Sequence, residues 1–401
     1  MLTTLPLSTL AAAGLLLAST TALAQSSPYY IGVSQALAYE SNLYRIGGSI
    51  GLPAGAQNKS DTIATTSLVA GVDQTWGRQR LSGSGSLRAS RFANNDQLNN
   101  EGYGLNLGLD WATVERVSGR LGVTADRSLR SYDPAYQGGL ASERNIEDNN
   151  QINATVRVGV VTRLTGEVSA SRRQVRFSAQ AFKGSEYNQN IGSIGARYRL
   201  GGATTVGLAL RQSQVRYVSV DDPYKRRDID LTANWNPSGL TTVYGRISHT
   251  STDHAKSPTR DFSGATAELR GTTQATGKVK LNVKLSRDLA QGTSTFDFAG
   301  QTPTTEFDRV STALRLGADY ELSAKIALNA GIEHIRRNFE GTRFAIVGSD
   351  RTTALDLGAR WLPTRAIQVG CSLRYDTRSV SLVGNPYNSN AVNCYGQFVL
   401  Q

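Results

Sequence analysis

Beyond its N-terminal segment this chain lacks any apolar run of the roughly 20 residues that a membrane helix requires. Histidine is scarce: His249, His254 and His334 are the three, and none is spaced with a cluster of other ligands, so no metal site is expected. No G-x-S-x-G elbow, P-loop or H-E-x-x-H occurs, which removes the familiar routes to hydrolase, nucleotide and zinc-protease chemistry and leaves no cofactor to assign. Aromatic-basic nucleic-acid motifs and zinc-finger spacings are missing too, so nucleic acid is not expected as a partner. Cysteine is limited to Cys371 and Cys394, and hydrophobic residues make up only 39% of the chain. The mean hydropathy is −0.31.

What the chain has instead is strict alternation. In Tyr103-Gly-Leu-Asn-Leu-Gly-Leu-Asp-Trp111 every second residue is apolar, and Gly104, Asn106, Gly108 and Asp110 stand between. Ile229, Leu231 and Ala233 lead to Trp235 in the same way, and Leu355, Leu357 and Ala359 lead to Trp361. A period of two means strands whose faces meet different solvents. The four tryptophans, Trp76, Trp111, Trp235 and Trp361, each end such a run just ahead of a short turn, and Tyr198 and Tyr320 hold equivalent places. An indole or phenol repeatedly set at one strand end suits a girdle at a membrane–water interface, its ring buried and its polar tip wet. A soluble β-sandwich also alternates, but segments such as 117–130, 146–163 and 306–322 exceed the usual strand of about 5–6 residues. They suit a tilted membrane strand, which needs about 9–11 residues for the hydrocarbon layer alone.

The expected fold is therefore all-β, a transmembrane antiparallel up-and-down barrel. Short turns near residues 77, 115, 163, 202, 238, 276, 324 and 364 alternate with longer polar connections. About eight short and nine long connections give about eighteen strands, with sixteen as the alternative count and both termini on the short-turn side. Low hydropathy and 40 glycines agree, since half of every strand would face a wet interior. Leu10–Ala18 is an apolar h-region and Ala22-Leu23-Ala24 a small-x-small cleavage pattern, although the n-region lacks Lys and Arg. Residues 1–24 are read as an export signal and 25–401 as one barrel domain in the outer membrane of a Gram-negative cell.

Alternation also assigns faces. With Val279, Leu281, Val283 and Leu285 toward lipid, Lys278, Lys280 and Lys284 turn into the lumen, in a row that holds Asn282 and no acid. The same rule turns Arg88, Arg120, Arg157, Arg197, Arg199, Arg211, Arg246, Arg315, Arg360 and Arg374 inward, with Asp110, Glu167, Asp230, Glu268, Asp319, Glu333 and Asp356. For the arginines the plain reading is cross-strand pairing that braces the wall. The lysines are the candidates for a positive patch that attracts an anionic solute, in a chain of formal charge +11. Ser248-His249 and Asp253-His254, near an outer rim, are the residues a rim-active hydrolase would use; two polar loop histidines are more simply solvated. Cys371 and Cys394 fall on outward rows of the last two strands at matching heights, and an oxidising compartment favours a disulfide between them.

Ser27-Pro-Tyr-Tyr-Ile-Gly-Val-Ser-Gln35, Tyr39-Glu-Ser-Asn-Leu-Tyr-Arg45 and the ending Cys394-Tyr-Gly-Gln-Phe-Val-Leu-Gln401 carry a resemblance. They resemble the exosortase-associated exopolysaccharide outer-membrane proteins called EpsL, within the wider β-barrel porin 2 group. The resemblance implies a barrel that takes part in exporting an exopolysaccharide, with no catalytic residues to carry over. Its partners would be outer-membrane lipid and lipopolysaccharide, an anionic or neutral polysaccharide, and periplasmic polysaccharide-export proteins. A general diffusion porin with anion preference is the alternative, and a rim-active hydrolase a third.

Overall fold

The computed structural model describes residues 27–132, 143–159, 162–219, 221–256, 258, 261–289, 310–339, 348–379 and 386–401. The signal-peptide reading of residues 1–24 lies outside the described residues. Among the described residues eighteen strands carry the fold. The first six are β1 (Tyr29–Glu40), β2 (Asp61–Trp76), β3 (Gln79–Phe92), β4 (Asn100–Ala112), β5 (Val117–Leu129) and β6 (Ile146–Val158). Then come β7 (Leu164–Phe177), β8 (Tyr187–Arg199), β9 (Thr204–Tyr217), β10 (Tyr224–Ser238), β11 (Thr241–His254) and β12 (Ser263–Gln274). The last are β13 (Val279–Leu289), β14 (Val310–Glu321), β15 (Ile326–Phe339), β16 (Gly348–Trp361), β17 (Ile367–Arg378) and β18 (Tyr387–Leu400).

Each strand pairs antiparallel with its neighbours in sequence, and β1 closes the ring on β18 from Ile31↔Leu400 to Glu40↔Ala391. Closure leaves no edge strand with unpaired N–H and C=O groups. The count is eighteen rather than sixteen, and the short turns and both strand termini share one end. In barrels of this kind that end faces the periplasm and the long connections face outward.

The polarity of the wall is inverted relative to a water-soluble protein. On β10, Ile229 and Leu231 are 53% and 59% exposed, while Asp228 and Asp230 on the opposite face are 2% and 6% exposed. The same holds around the ring: Leu68, Leu87, Ile152, Val168, Ile194, Leu208, Ile247 and Leu357 all stand on the outside. An uninterrupted apolar belt of this extent is satisfied by hydrocarbon and not by water. Trp76, Trp235 and Trp361 stand outward at its short-turn edge. The Trp111 ring lies against the neighbouring Gly119, where a Cβ would come within 2.5 Å of it. The two-residue turn Gly77-Arg78 needs a left-handed backbone, which Gly77 supplies with φ of 58°.

At the outer end, connections fold back onto the strands. Asp61 at the head of β2 accepts the backbone N–H groups of Ala93 and Asn94 (3.0 Å each) and of Asn95 (2.8 Å). Asn95 in turn accepts from the Tyr44 hydroxyl at 3.0 Å. Burial, and then the adjacent Asp61, push the Tyr44 phenol up to about 12. Tyr44, Ile46, Phe92, Leu98 and Tyr132 close a small apolar core around this hub. A second core forms where the inward ends of β7–β10, Val175, Phe177, Tyr187, Val215 and Tyr224, meet Ala179 and Phe182 from the β7–β8 connection. Arg130 lies over the Phe177 ring at 4.6 Å and the Phe182 ring at 5.5 Å.

If the girdle lies at one interface, depth-dependent quenching by spin-labelled lipids is expected to place all four indoles at one shallow depth. An indole quenched from the bilayer centre would contradict the assignment of faces.

A second expected outcome concerns the clamp on the β7–β8 connection. Glu186 accepts the Phe177 N–H at 2.9 Å and the Lys183 ammonium at 2.8 Å. Burial works to raise its pKa, but the hydrogen bonds from Lys183 and Phe177 outweigh it and hold the carboxyl below its ordinary value. A carboxyl lowered on folding contributes stability above its unfolded value of about 4.3, and that contribution is lost as pH falls through the lower folded value. Protection factors in the 178–186 connection, taken relative to intrinsic exchange at each pH, are therefore expected to be high at neutral pH and to fall below about pH 4. Glu186→Gln should keep them low throughout.

Candidate functional site

The interior is lined by the alternate residues of each strand that the belt does not use. From β2 to β5 these are small and hydroxylic or amide-bearing, among them Ser67, Ser82, Ser84, Ser86, Gly104, Asn106 and Thr124. Charges are set among them in complementary pairs. Arg88 reaches Asp126 at 2.8 Å and Arg120 reaches Asp110 at 3.0 Å. Arg157 and Arg197 share Glu167 at 2.7 and 2.8 Å. Arg374 meets Asp356 at 2.8 Å and Glu333 at 4.0 Å, and Arg315 stands in register between Glu333 and Lys284.

The densest part lies on β9–β13. Arg211 holds Asp230 at 2.9 Å and lies 3.4 Å from Asp228. Arg246 lies among Asp230 (3.6 Å), Asp288 (3.4 Å) and Glu268 (3.7 Å). Arg226 joins Asp228 at 2.8 Å to Asp288 at 2.9 Å. The hydroxyls of Ser248 and Thr250 donate to Asp230 (2.5 Å) and Asp228 (2.6 Å). Arg226, Asp228 and Asp288 are not among the inward charges expected from sequence, although the alternation with Ile229, Leu231, Leu285 and Leu289 marks them as inward. Separately, Arg45 of the β1–β2 connection lies 3.9 Å from Asp376 of β17.

The lysine row departs from expectation. Lys280 lies inward in register with Asp319, which accepts from Asn282 at 3.0 Å, and the row runs on through Lys284 and Ser286 to Asp288. An acid therefore stands on the row and another beside it. Lys278 sits in the turn itself, its Nζ donating to the Leu322 carbonyl of the next turn at 3.3 Å. Arg78 does likewise to Thr113 and Val114, at 2.7 Å each, and Lys325 to Pro363 at 3.1 Å. Arg199 and Arg360 lie at the same end, exposed.

No rim dyad forms among the described residues. Ser248 is inward and bonded to Asp230, whereas His249 shares the outward face with Ile229 and Ala265. His254 is inward, its Nδ1 lies 2.9 Å from Asp261, and its ring stacks on Tyr224 at 4.9 Å; Asp253 is on the other face. Among the described residues no group of three His, Cys, Asp or Glu side chains is arranged to hold a metal ion. Of the remaining girdle residues, Tyr320 stands opposite Val279 and Tyr198 opposite Leu164 and Val206. Cys371 and Cys394 are direct cross-strand partners on the outward face, Cα atoms 4.1 Å apart, joined as a disulfide.

The family model described as Putative beta-barrel porin 2 matches residues 301–395. No curated protein matches the sequence. Among solved structures, the chain is similar to Pseudomonas aeruginosa OccK1 (OpdK), at 11% identity and a TM-score of 0.51, covering 93% of this chain and 99% of that one. Acinetobacter baumannii OccAB4 is similar at 9% identity and a TM-score of 0.50, covering 94% and 99%. Pseudomonas aeruginosa OpdK with vanillate gives 11% identity and 0.50, covering 93% and 99%. At these identities the likeness establishes the fold, a closed porin-type barrel.

Asp230 receives Arg211, Arg246 and Ser248 while almost wholly buried. Asp230→Asn removes the charge and leaves those donors short, an expected loss of about 1–3 kcal/mol. Asp319→Asn, at an exposed position, should stay within about 0.5 kcal/mol. Urea midpoints of the heat-modifiable barrel in detergent micelles measure both; equal shifts would mean that the β9–β13 network does not brace the wall.

Proposed function

We propose that this protein is a passive channel of the outer membrane, through which polar solutes move along a hydrated, charge-lined lumen. The observation that carries the reading is the inverted wall: apolar side chains outside, Gly, Ser, Asn and paired charges inside, on a ring without edges. Such a lumen offers many weak polar contacts and no committed binding geometry, which is what passage requires. Paired arginines keep the interior wet without giving it one sign, so selectivity falls to the short-turn mouth, round which Arg199 of β8, Lys278 and Lys280 at the start of β13, and Arg360 of β16 are spaced. Anions are the favoured solutes on that ground. A structure of OpdK with vanillate makes this molecule a sensible first probe.

Export of an exopolysaccharide is the narrower reading. It is supported by the resemblance of Ser27–Arg45 and Cys394–Gln401 to the EpsL type, and by the porin 2 match over the last quarter of the chain. The small hydroxyl and amide wall of β2–β5 is chemically suited to a sliding glycan. Lipopolysaccharide and periplasmic export proteins would be its neighbours.

One variant separates the readings. Lys278→Glu, Lys280→Glu and Lys284→Glu together reverse six charge units, two at each of three side chains. Single changes should matter little, because each charge is screened over about 8 Å at physiological salt. In planar bilayers the triple variant is expected to shift the reversal potential toward cations and to slow vanillate entry into liposomes. A concurrent fall in secreted polysaccharide, at unchanged barrel abundance, favours export. Altered ion preference with normal secretion favours a diffusion porin, and no change in either would remove the lysines from the path.

A further inference from the structure

On the outside of β7–β10 the apolar belt ends abruptly. Val168, Ile194, Leu210 and Ile229 form its last row, in register across the four strands and exposed. The next outward row, toward the outer end, is Ala170, Gly192, Gln212 and Arg227. Beyond it comes Arg172, Asn190, Gln214 and Lys225, and then Gln174, Asn188 and Arg216. Arg172, Arg216, Lys225 and Arg227 are exposed. Among the described residues none of the four makes an ion pair. Asp253 on β11, beside Lys225, is the one acid among the described residues of this face that leaves its charge unpaired; Asp148 of β6 is held by Arg127 at 2.8 Å. At the same height β1 and β17 stay apolar or aromatic, with Leu37, Tyr39, Leu373 and Tyr375, whereas exposed outward cations also stand on β13, β15 and β16, at Arg287, Arg336 and Arg351. The β7–β10 face is set apart by the outward amides of Asn188, Asn190, Gln212 and Gln214 among its cations.

The height identifies the ligand. Lys225 lies ten residues from Trp235 along β10. At about 3.4 Å per residue and a tilt of about 40°, that is roughly 26 Å, the thickness of a barrel's apolar belt. The cations therefore face sideways at the outer headgroup level, directly above side chains that meet acyl chains. A soluble anion would gain nothing from that apolar row. A second copy of the chain would need an acidic outward face, which the described strands do not present.

Resting on the outer-membrane reading above, we propose that the outward face of β7–β10 is a binding site for the phosphorylated glycolipid of the outer leaflet. Arg172, Arg216, Lys225 and Arg227 receive the phosphates of its glucosamine disaccharide. Asn188, Asn190, Gln212 and Gln214 offer amides to the sugar hydroxyls, and the acyl chains lie on Val168, Ile194, Leu210 and Ile229. This is a lateral site on the wall, separate from the lumen and from the mouth.

The test compares wild type with the combined variant Arg172→Ala, Arg216→Ala, Lys225→Ala and Arg227→Ala, which places smaller apolar groups against lipid and leaves the lumen intact. Binding of bisphosphorylated lipid A to the detergent-solubilised barrel is followed by native mass spectrometry, with dephosphorylated lipid A, phosphatidylglycerol and inorganic phosphate as alternative probes. The expected result is binding on the order of a hundredfold weaker in the variant, and similarly weak binding of dephosphorylated lipid A to wild type. Inorganic phosphate should not compete at equal concentration, and phosphatidylglycerol should bind less tightly than lipid A. Equal binding by wild type and variant, or indifference to the phosphates, overturns the proposal, as does loss of a dimer in the variant as the main effect. Planar-bilayer conductance is measured in parallel. Channels in both proteins with unchanged lipid binding would refute this site alone, whereas absence of channels in wild type would refute the channel reading.

Discussion

Everything in this molecule depends on backbone hydrogen bonding in a solvent that offers none. Inside hydrocarbon an unpaired N–H or C=O costs several kcal/mol, so a sheet can stand there only if it has no edge. The pairing of β1 with β18 is what meets that demand, and it explains why strand number, register and shear must agree around the ring. Once the ring is closed, the two faces of every strand are committed, one to lipid and one to water.

That commitment moves the polar chemistry inward. Lipid outside forbids charge on half the positions of each membrane-spanning segment, so the segment's charges collect on the other half. There they stand close enough to pair, and Arg211, Arg226 and Arg246 with Asp228, Asp230 and Asp288 form one connected net over four strands. Individual exposed ion pairs contribute little, but members of a net hold one another's geometry. The inner wall is thus stiffened by the groups that keep it wet. At the outer end the constraint relaxes, and small apolar cores around Tyr44 and Phe177 take over the tying-down of connections.

Much of this architecture is legible in the amino-acid sequence, because a period of two leaves a simple trace. Leu105, Leu107 and Leu109 in front of Trp111 betray their strand and its facing at once, and the hairpin rhythm leads to eighteen strands. The same rule, carried consistently, sets Ser248 and His249 on opposite faces and extends the lysine row to Asp288. Lys278 escapes it because a turn residue has no face. The outer cores are illegible for a different reason: Tyr44, Phe177 and Phe182 meet through connections whose sequence has no period, and long-range packing of that kind leaves no local mark. Pairwise ion distances are likewise beyond reach, since register between strands is not written in either strand alone.

The Cys371–Cys394 bond has a consequence for the seam. The two residues face each other directly on β17 and β18, and β18 is the strand that meets β1. A strand pair held by hydrogen bonds alone can slip by one residue, and a slip of one exchanges its lipid and water faces. A covalent rung across the last hairpin forbids β18 from sliding unless β17 slides with it. The ring therefore closes onto an edge whose ratchet position has already been set from within the hairpin.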